Sequence, residues 1–208
     1  MNRSIFFLGS LDGLSTIFDD QSYREPTGEA DVVVLPTAAA FIGAAEASVG
    51  VAEACEGIEA RVEALMVTDR ASANEAYFAS RIVQADLVIL CDGSVLHARS
   101  VWRNTLVGDA IAKASQLVAL GSVSSLLSEV TIDPRGGAPT TGMGLCQGVT
   151  FCPPVNDDQL VRTRSLLGLD TALVVLGPRG VVHFGDEGWR ALDGDDLVVT
   201  RGHDVTTL

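Results

Sequence analysis

Four short runs in this sequence contain no polar residue at all: Ile5-Phe6-Phe7-Leu8, Val32-Val33-Val34-Leu35, Leu87-Val88-Ile89-Leu90 and Leu117-Val118-Ala119-Leu120. Side chains on a strand alternate between its two faces, so a strand that is apolar at every position is buried on both. A fifth run, 61–67, has a mixed pattern. Between the runs lie segments of helical length and composition, at 38–56, 71–84 and 95–114. Strands buried on both faces and separated by helices predict an α/β three-layer sandwich, with a mostly parallel sheet and helices on both faces.

After residue 121 the character changes. The uncharged stretch 136–156 holds five glycines and three prolines and reads as a loop region. A helix is expected near 157–167 and a strand at 171–176. From residue 178 on, short runs such as 181–184 and 197–200 are joined by Gly- and Asp-rich turns, which predicts a short antiparallel β-rich tail (178–208) on the edge of the sheet. No repeat or linker divides the chain, so one domain over 1–208 is expected.

Charge narrows the function. The 208 residues carry 14 basic and 27 acidic side chains, a formal net charge of −13. Such a surface repels phosphate backbones and anionic headgroups, which argues against nucleic-acid and membrane partners. Apolar residues make up 47%, enough for a core, and no uncharged stretch suits a spanning helix. Cys55, Cys91, Cys146 and Cys152 form no C-x-x-C pair and lie near no metal-spaced histidine, so reduced thiols in a cytoplasmic protein are expected. No metal or organic cofactor is implied, because neither a G-x-x-x-x-G-K loop nor a G-x-G-x-x-G turn follows a strand.

In a parallel sheet, chemistry gathers at the carboxyl ends of the strands. Three such ends stand out: Pro36-Thr37-Ala38, Cys91-Asp92-Gly93-Ser94 and Gly121-Ser122-Val123-Ser124-Ser125. Together with Arg135 of the Asp133-Pro134-Arg135-Gly136-Gly137 turn, residues Asp92, Gly93, Ser94, Gly121 and Ser122 make a candidate binding rim.

The segments VVVLPTAAA (32–40), TDRASAN (68–74), ADLVILCDGSVLHARSVWRNT (85–105), VALGSVSSLL (118–127) and DPRGGAPTTGMGL (133–145), taken in that order, resemble the cyanophycinase and α-aspartyl dipeptidase (dipeptidase E) family of serine peptidases. The likeness runs from about residue 5 to 176. It implies a flavodoxin-like core related to type 1 glutamine amidotransferase domains, and a homodimer as the expected assembly.

The same resemblance implies a catalytic set that this chain matches poorly. The family's nucleophile sits in a strand-to-helix turn of the form G-[ST]-S-A-G-A, which holds a serine hydroxyl above the sheet. Laid over G-S-V-S-S-L, the motif puts Val123 at the nucleophile, and valine has no nucleophilic atom. The family's base, a histidine in V-I-P-H-like segments, falls on Pro154, which cannot relay a proton. Its oxyanion glycine pair becomes Asp92-Gly93, placing a carboxylate where an oxyanion would develop. The expectation is a non-catalytic homologue that binds a small peptide-like ligand or a paralogous partner chain.

Two other readings stay open. A one-residue slip would put Ser124 at the turn's tip, and Ser124 or Ser122 paired with His97 would make a serine hydrolase for small acidic peptides or amides, with Asp92 or Glu129 to orient the imidazole. His183 and His203 lie in the tail. The chain could also be a structural oligomer subunit. Beside these stand plainer roles: the serines as turn and helix-cap residues, His97 in a structural hydrogen bond, Asp92-Gly93 as a turn, Asp193, Asp195 and Asp196 as solvated charges, and Cys91 and Cys152 as buried thiols.

Overall fold

The computed structural model describes residues 3–133, 137–194, 196–202 and 204–207. Five parallel strands form the centre of its main sheet: β1 (Ser4–Leu8), β2 (Ala30–Leu35), β3 (Ala60–Ala64), β4 (Leu87–Leu90) and β5 (Gln116–Leu120). They lie in the order β1-β5-β4-β2-β3, and β10 (Val181–Gly185) and β11 (Gly188–Asp193) add antiparallel beyond β1. Each apolar run divides its side chains between two cores. Ile5, Phe7, Val33, Leu35, Val88, Leu90, Leu117 and Ala119 point to one, while Phe6, Leu8, Val32, Val34, Leu87, Ile89, Val118 and Leu120 point to the other.

Helices cover both faces. Leu14 and Ile17 of α1 (Leu14–Phe18) and Val51 of α2 (Ala44–Ala54) cover the second core. The first is covered by α3 (Ala76–Gln84), α4 (Val95–Trp102), α5 (Leu106–Ile111) and α6 (Ser124–Leu127). The three-layer α/β arrangement is as the sequence predicts. The helix expected at 95–114 is two, because Asn104 takes a left-handed φ of 55° and Thr105 caps α5, its hydroxyl oxygen accepting from the Gly108 amide at 3.3 Å. The helix expected from residue 38 begins only at 44, after a 3-10 turn at Thr37–Ala39 and a glycine at φ 130°.

The second half departs further from expectation. The stretch read as a loop region contains β7 (Pro139–Thr141), which pairs with β6 (Val130–Ile132), and β8 (Val149–Cys152). Strand β9 (Ala172–Leu176) runs parallel to β8, away from the main sheet; β12 (Leu197–Arg201) and β13 (Asp204–Thr207) continue that second sheet. The tail is therefore shared, with β10 and β11 on the edge of the main sheet and β12 and β13 in the other. Phe151 of β8 stacks on Phe7 at 3.9 Å between ring centroids, joining the second sheet to the first core, while Leu160 of α7 (Asp157–Leu166) packs against a separate cluster that includes Cys152, Leu173 and Val175. No helix among the described residues is long and apolar enough to cross a membrane.

Candidate functional site

Because β4 lies between β2 and β5, the segments that follow these three strands meet at one rim. After β2, Thr37 is fully buried behind the rim. Its hydroxyl donates to the Val67 carbonyl at 2.7 Å and accepts from the Trp102 indole N–H at 3.1 Å. After β4, Gly93 at φ 145° lies so close to the β2 turn that a Cβ there would meet the Ala38 carbonyl oxygen at 2.3 Å. The neighbouring Ser94 amide donates to that same oxygen at 2.8 Å. A side chain at 93 would separate the two turns.

After β5 the chain turns sharply at Gly121, whose φ is 52°. This left-handed position stands two residues before Val123, which is fully buried in the first core. The Asp92 carboxylate, on an exposed residue at the end of the neighbouring strand, fills the space above Gly121. One oxygen, Oδ1, accepts from the Ser122 amide at 2.8 Å and from the Gly93 amide at 2.7 Å. A Cβ built on Gly121 would lie 2.4 Å from the carboxylate carbon. Two backbone N–H groups from different turns thus converge on one carboxylate oxygen, a geometry suited to anions.

The serines have other work. Ser124 is fully buried, and its hydroxyl donates to the Ala119 carbonyl at 3.1 Å. The Ser125 hydroxyl lies 3.1 Å from the Ser122 carbonyl and 2.7 Å from the Thr131 hydroxyl. His97, in the first turn of α4, places Nε2 2.9 Å from the Thr68 carbonyl oxygen and its ring edge-to-face with Phe41 at 4.5 Å. Ser94 caps that helix, its hydroxyl accepting from the His97 amide at 3.3 Å. Glu129 is exposed just ahead of β6. His183 pairs across the hairpin with Arg190, and burial together with that arginine's charge lowers its pKa. It lines a cavity of about 490 Å³ with Arg3 and Ser4, at the amino end of β1 and so at the opposite end of the sheet from the rim. Arg135 and His203 lie outside the described residues.

Ser122 and Pro154 do come together. Both line a mostly apolar cavity of about 190 Å³, with Ser125, Ile132, Cys152 and Gln159 among its other walls. Cys91 and Cys152 are buried beside the rim. Burial, reinforced at Cys91 by the Asp92 charge, pushes both thiols up to about 12, so neither supplies a thiolate at neutral pH. Among the described residues the rim thus holds hydroxyls, the carboxylates of Asp92 and Asp133, and paired amide donors. The Asp92 bridge between β4 and β5 has no signature in either segment alone; only strand adjacency creates it.

No protein-family model matches the chain, and no curated protein matches it in sequence. Solved structures do match its fold. A peptidase from an acI-B1 Actinobacterium superposes with a TM-score of 0.71 at 16% identity, over 100% of this chain and 98% of that one. The chain shares the fold of that peptidase. A candidate Peptidase E of Listeria monocytogenes EGD-e superposes with a TM-score of 0.64 at 13% identity, over 97% of this chain and 99% of that one. Both superpositions span nearly the whole of each chain, so the likeness is one of overall fold.

Proposed function

We propose that this chain is a non-catalytic homologue of the peptidase E-like serine peptidases, and that it binds a small peptide-like ligand at the rim without turning it over. The observation that carries the reading is that, among the described residues, no serine hydroxyl of the rim is hydrogen-bonded to a histidine. Nucleophilic catalysis needs a hydroxyl within hydrogen-bond reach of a base. Here the Ser124 and Ser125 hydroxyls are committed to Ala119, Ser122 and Thr131, and His97 Nε2 is engaged by Thr68. Among the described residues, the cavity that Ser122 lines carries Pro154 and Asp133 but no histidine.

The backbone supports the same reading in a different register. A nucleophile elbow places its reactive residue in a strained conformation directly after the strand. The residue in that place is Gly121, at φ 52°, two positions before the Val123 that the sequence motif selects. Neither side chain offers a nucleophile. The small, largely apolar cavity beside two paired amide donors suits a ligand with a short apolar body and a carbonyl or carboxylate.

Labelling with a serine-reactive fluorophosphonate, located by mass spectrometry beside an active peptidase of this fold as control, tests the proposal. No adduct is expected on Ser122, Ser124 or Ser125. A stoichiometric adduct on one of them, abolished when that serine is replaced by alanine, would make the chain a working hydrolase and overturn the reading.

A further inference from the structure

The Asp92 carboxylate stands where two separate needs of an acyl-transfer site would fall. It accepts both the Gly93 and the Ser122 amide through one oxygen, as an oxyanion would in a backbone cradle. It also occupies the volume that any side chain on Gly121 would require, with carboxylate atoms 2.4 to 2.7 Å from a Cβ placed there. The three features depend on one another. Gly93 is held against Ala38, so its N–H has a fixed direction. The left-handed turn at Gly121 aims the Ser122 N–H at the same point. Pairing of β4 with β5 sets the two turns side by side.

We infer that the Gly93 and Ser122 amides form a carboxylate-binding cradle whose resident ligand is the chain's own Asp92. The inference rests on the non-catalytic reading and goes beyond it by naming the chemistry of the ligand: an external molecule must present a carboxylate or a similar oxyanion, and must displace Asp92 to be held. Asp92 is exposed, so its carboxylate can leave the cradle for water without any movement of the core. As a tethered competitor it acts at a high effective concentration, which makes the wild-type cradle self-occupied and weak toward free carboxylates.

The test uses the intact chain with the backbone amides observed by NMR and acetate as probe, titrated against chloride at matched ionic strength. In wild-type protein the Gly93 and Ser122 amide protons should resonate downfield and ignore acetate. In Asp92→Gly both should move upfield and then titrate back saturably with acetate, binding at least about tenfold more tightly than wild type. Asp92→Asn keeps an acceptor oxygen without the charge and should give an intermediate upfield shift, which decides the matter if the glycine variant does not fold. Wild-type amides that titrate with acetate as strongly as those of Asp92→Gly would overturn the inference. So would substitutions at 92 that leave the two amide shifts in place. Fluorophosphonate labelling of the same wild-type sample separates the two ideas: a serine adduct sinks the non-catalytic reading, whereas the amide shifts alone decide the cradle's occupant.

Discussion

Glycine at position 121 is held there twice over, once by backbone conformation and once by a neighbour. A left-handed φ costs an L-residue about 1 kcal/mol or more, and the Cβ would collide with the Asp92 carboxylate. Gly121→Ala should therefore lower stability by about 2 kcal/mol, roughly half of it conformational. In an Asp92→Gly background the steric half should vanish, leaving a coupling of about 1 kcal/mol in a double-mutant cycle followed by urea unfolding. Additive effects would mean that the carboxylate does not occupy that space. Thr37 offers a second residue-scale test. Thr37→Val strands the buried Trp102 N–H and the Val67 carbonyl, and should cost about 2 kcal/mol in the same assay. Neither role is written in the local sequence. Thr37 and Gly121 look like ordinary turn residues, and their partners lie about 30 residues or more away in the chain.

At the scale of elements, the exposed edge strand β3 is strapped to the sheet by charge. Arg81 of α3 donates to both Asp31 oxygens, on β2, and to Glu63 Oε2, on β3, at 2.7 to 3.1 Å. Partial burial raises the pKa of Asp31, but hydrogen bonds and charge from Arg81 and Arg61 outweigh it and leave the pKa lowered. A carboxylate with a depressed folded pKa contributes stability that is present above the unfolded value, about 3.9, and is lost as pH falls through the folded value. Arg81→Gln should cost about 1–2 kcal/mol at neutral pH, the pair being only partly exposed. That difference should shrink as pH drops below about 4 and be smallest once pH has fallen past the lowered folded value, where Asp31 is protonated in both states. Acid and urea titrations of the two proteins check the sign: a difference that grows on acidification would contradict the ion-pair account. The elements themselves were largely legible. Apolar runs located β1, β2, β4 and β5 because burial on both faces leaves no polar position. Strands β7 and β8 escaped because glycines and prolines around Val149–Cys152 give the turn signal more weight than a four-residue run. Asn104-Thr105 carried the break between α4 and α5, as a left-handed residue followed by a cap.

For the whole molecule, 27 acidic residues against 14 basic ones make self-repulsion a standing cost of the compact state. Screening by salt should relieve it. Raising sodium chloride from low to moderate concentration should stabilise the fold by roughly 1 kcal/mol, a rise in Tm of about 2–4 °C for a chain of this size. A fall in Tm under calorimetry would show that the surface ion pairs, including Arg190 with Asp20 at 2.7 Å, outweigh the net repulsion.

The sequence alone determined the layer architecture and the parallel core, since burial on both faces of a strand can be read from composition over four residues. It also pointed to the rim, because strand ends follow directly from strand positions. What stands at that rim was decided by the tertiary structure. The register of β5 put the left-handed turn at Gly121, and the adjacency of β4 and β5 brought Asp92 onto the amides of Gly93 and Ser122. The second sheet and the distance of His183 from the rim were settled the same way. Hydrogen bonds between residues 30 positions apart depend on how strands are ordered, and a strand's own residues specify that it is buried, not which strand it lies beside.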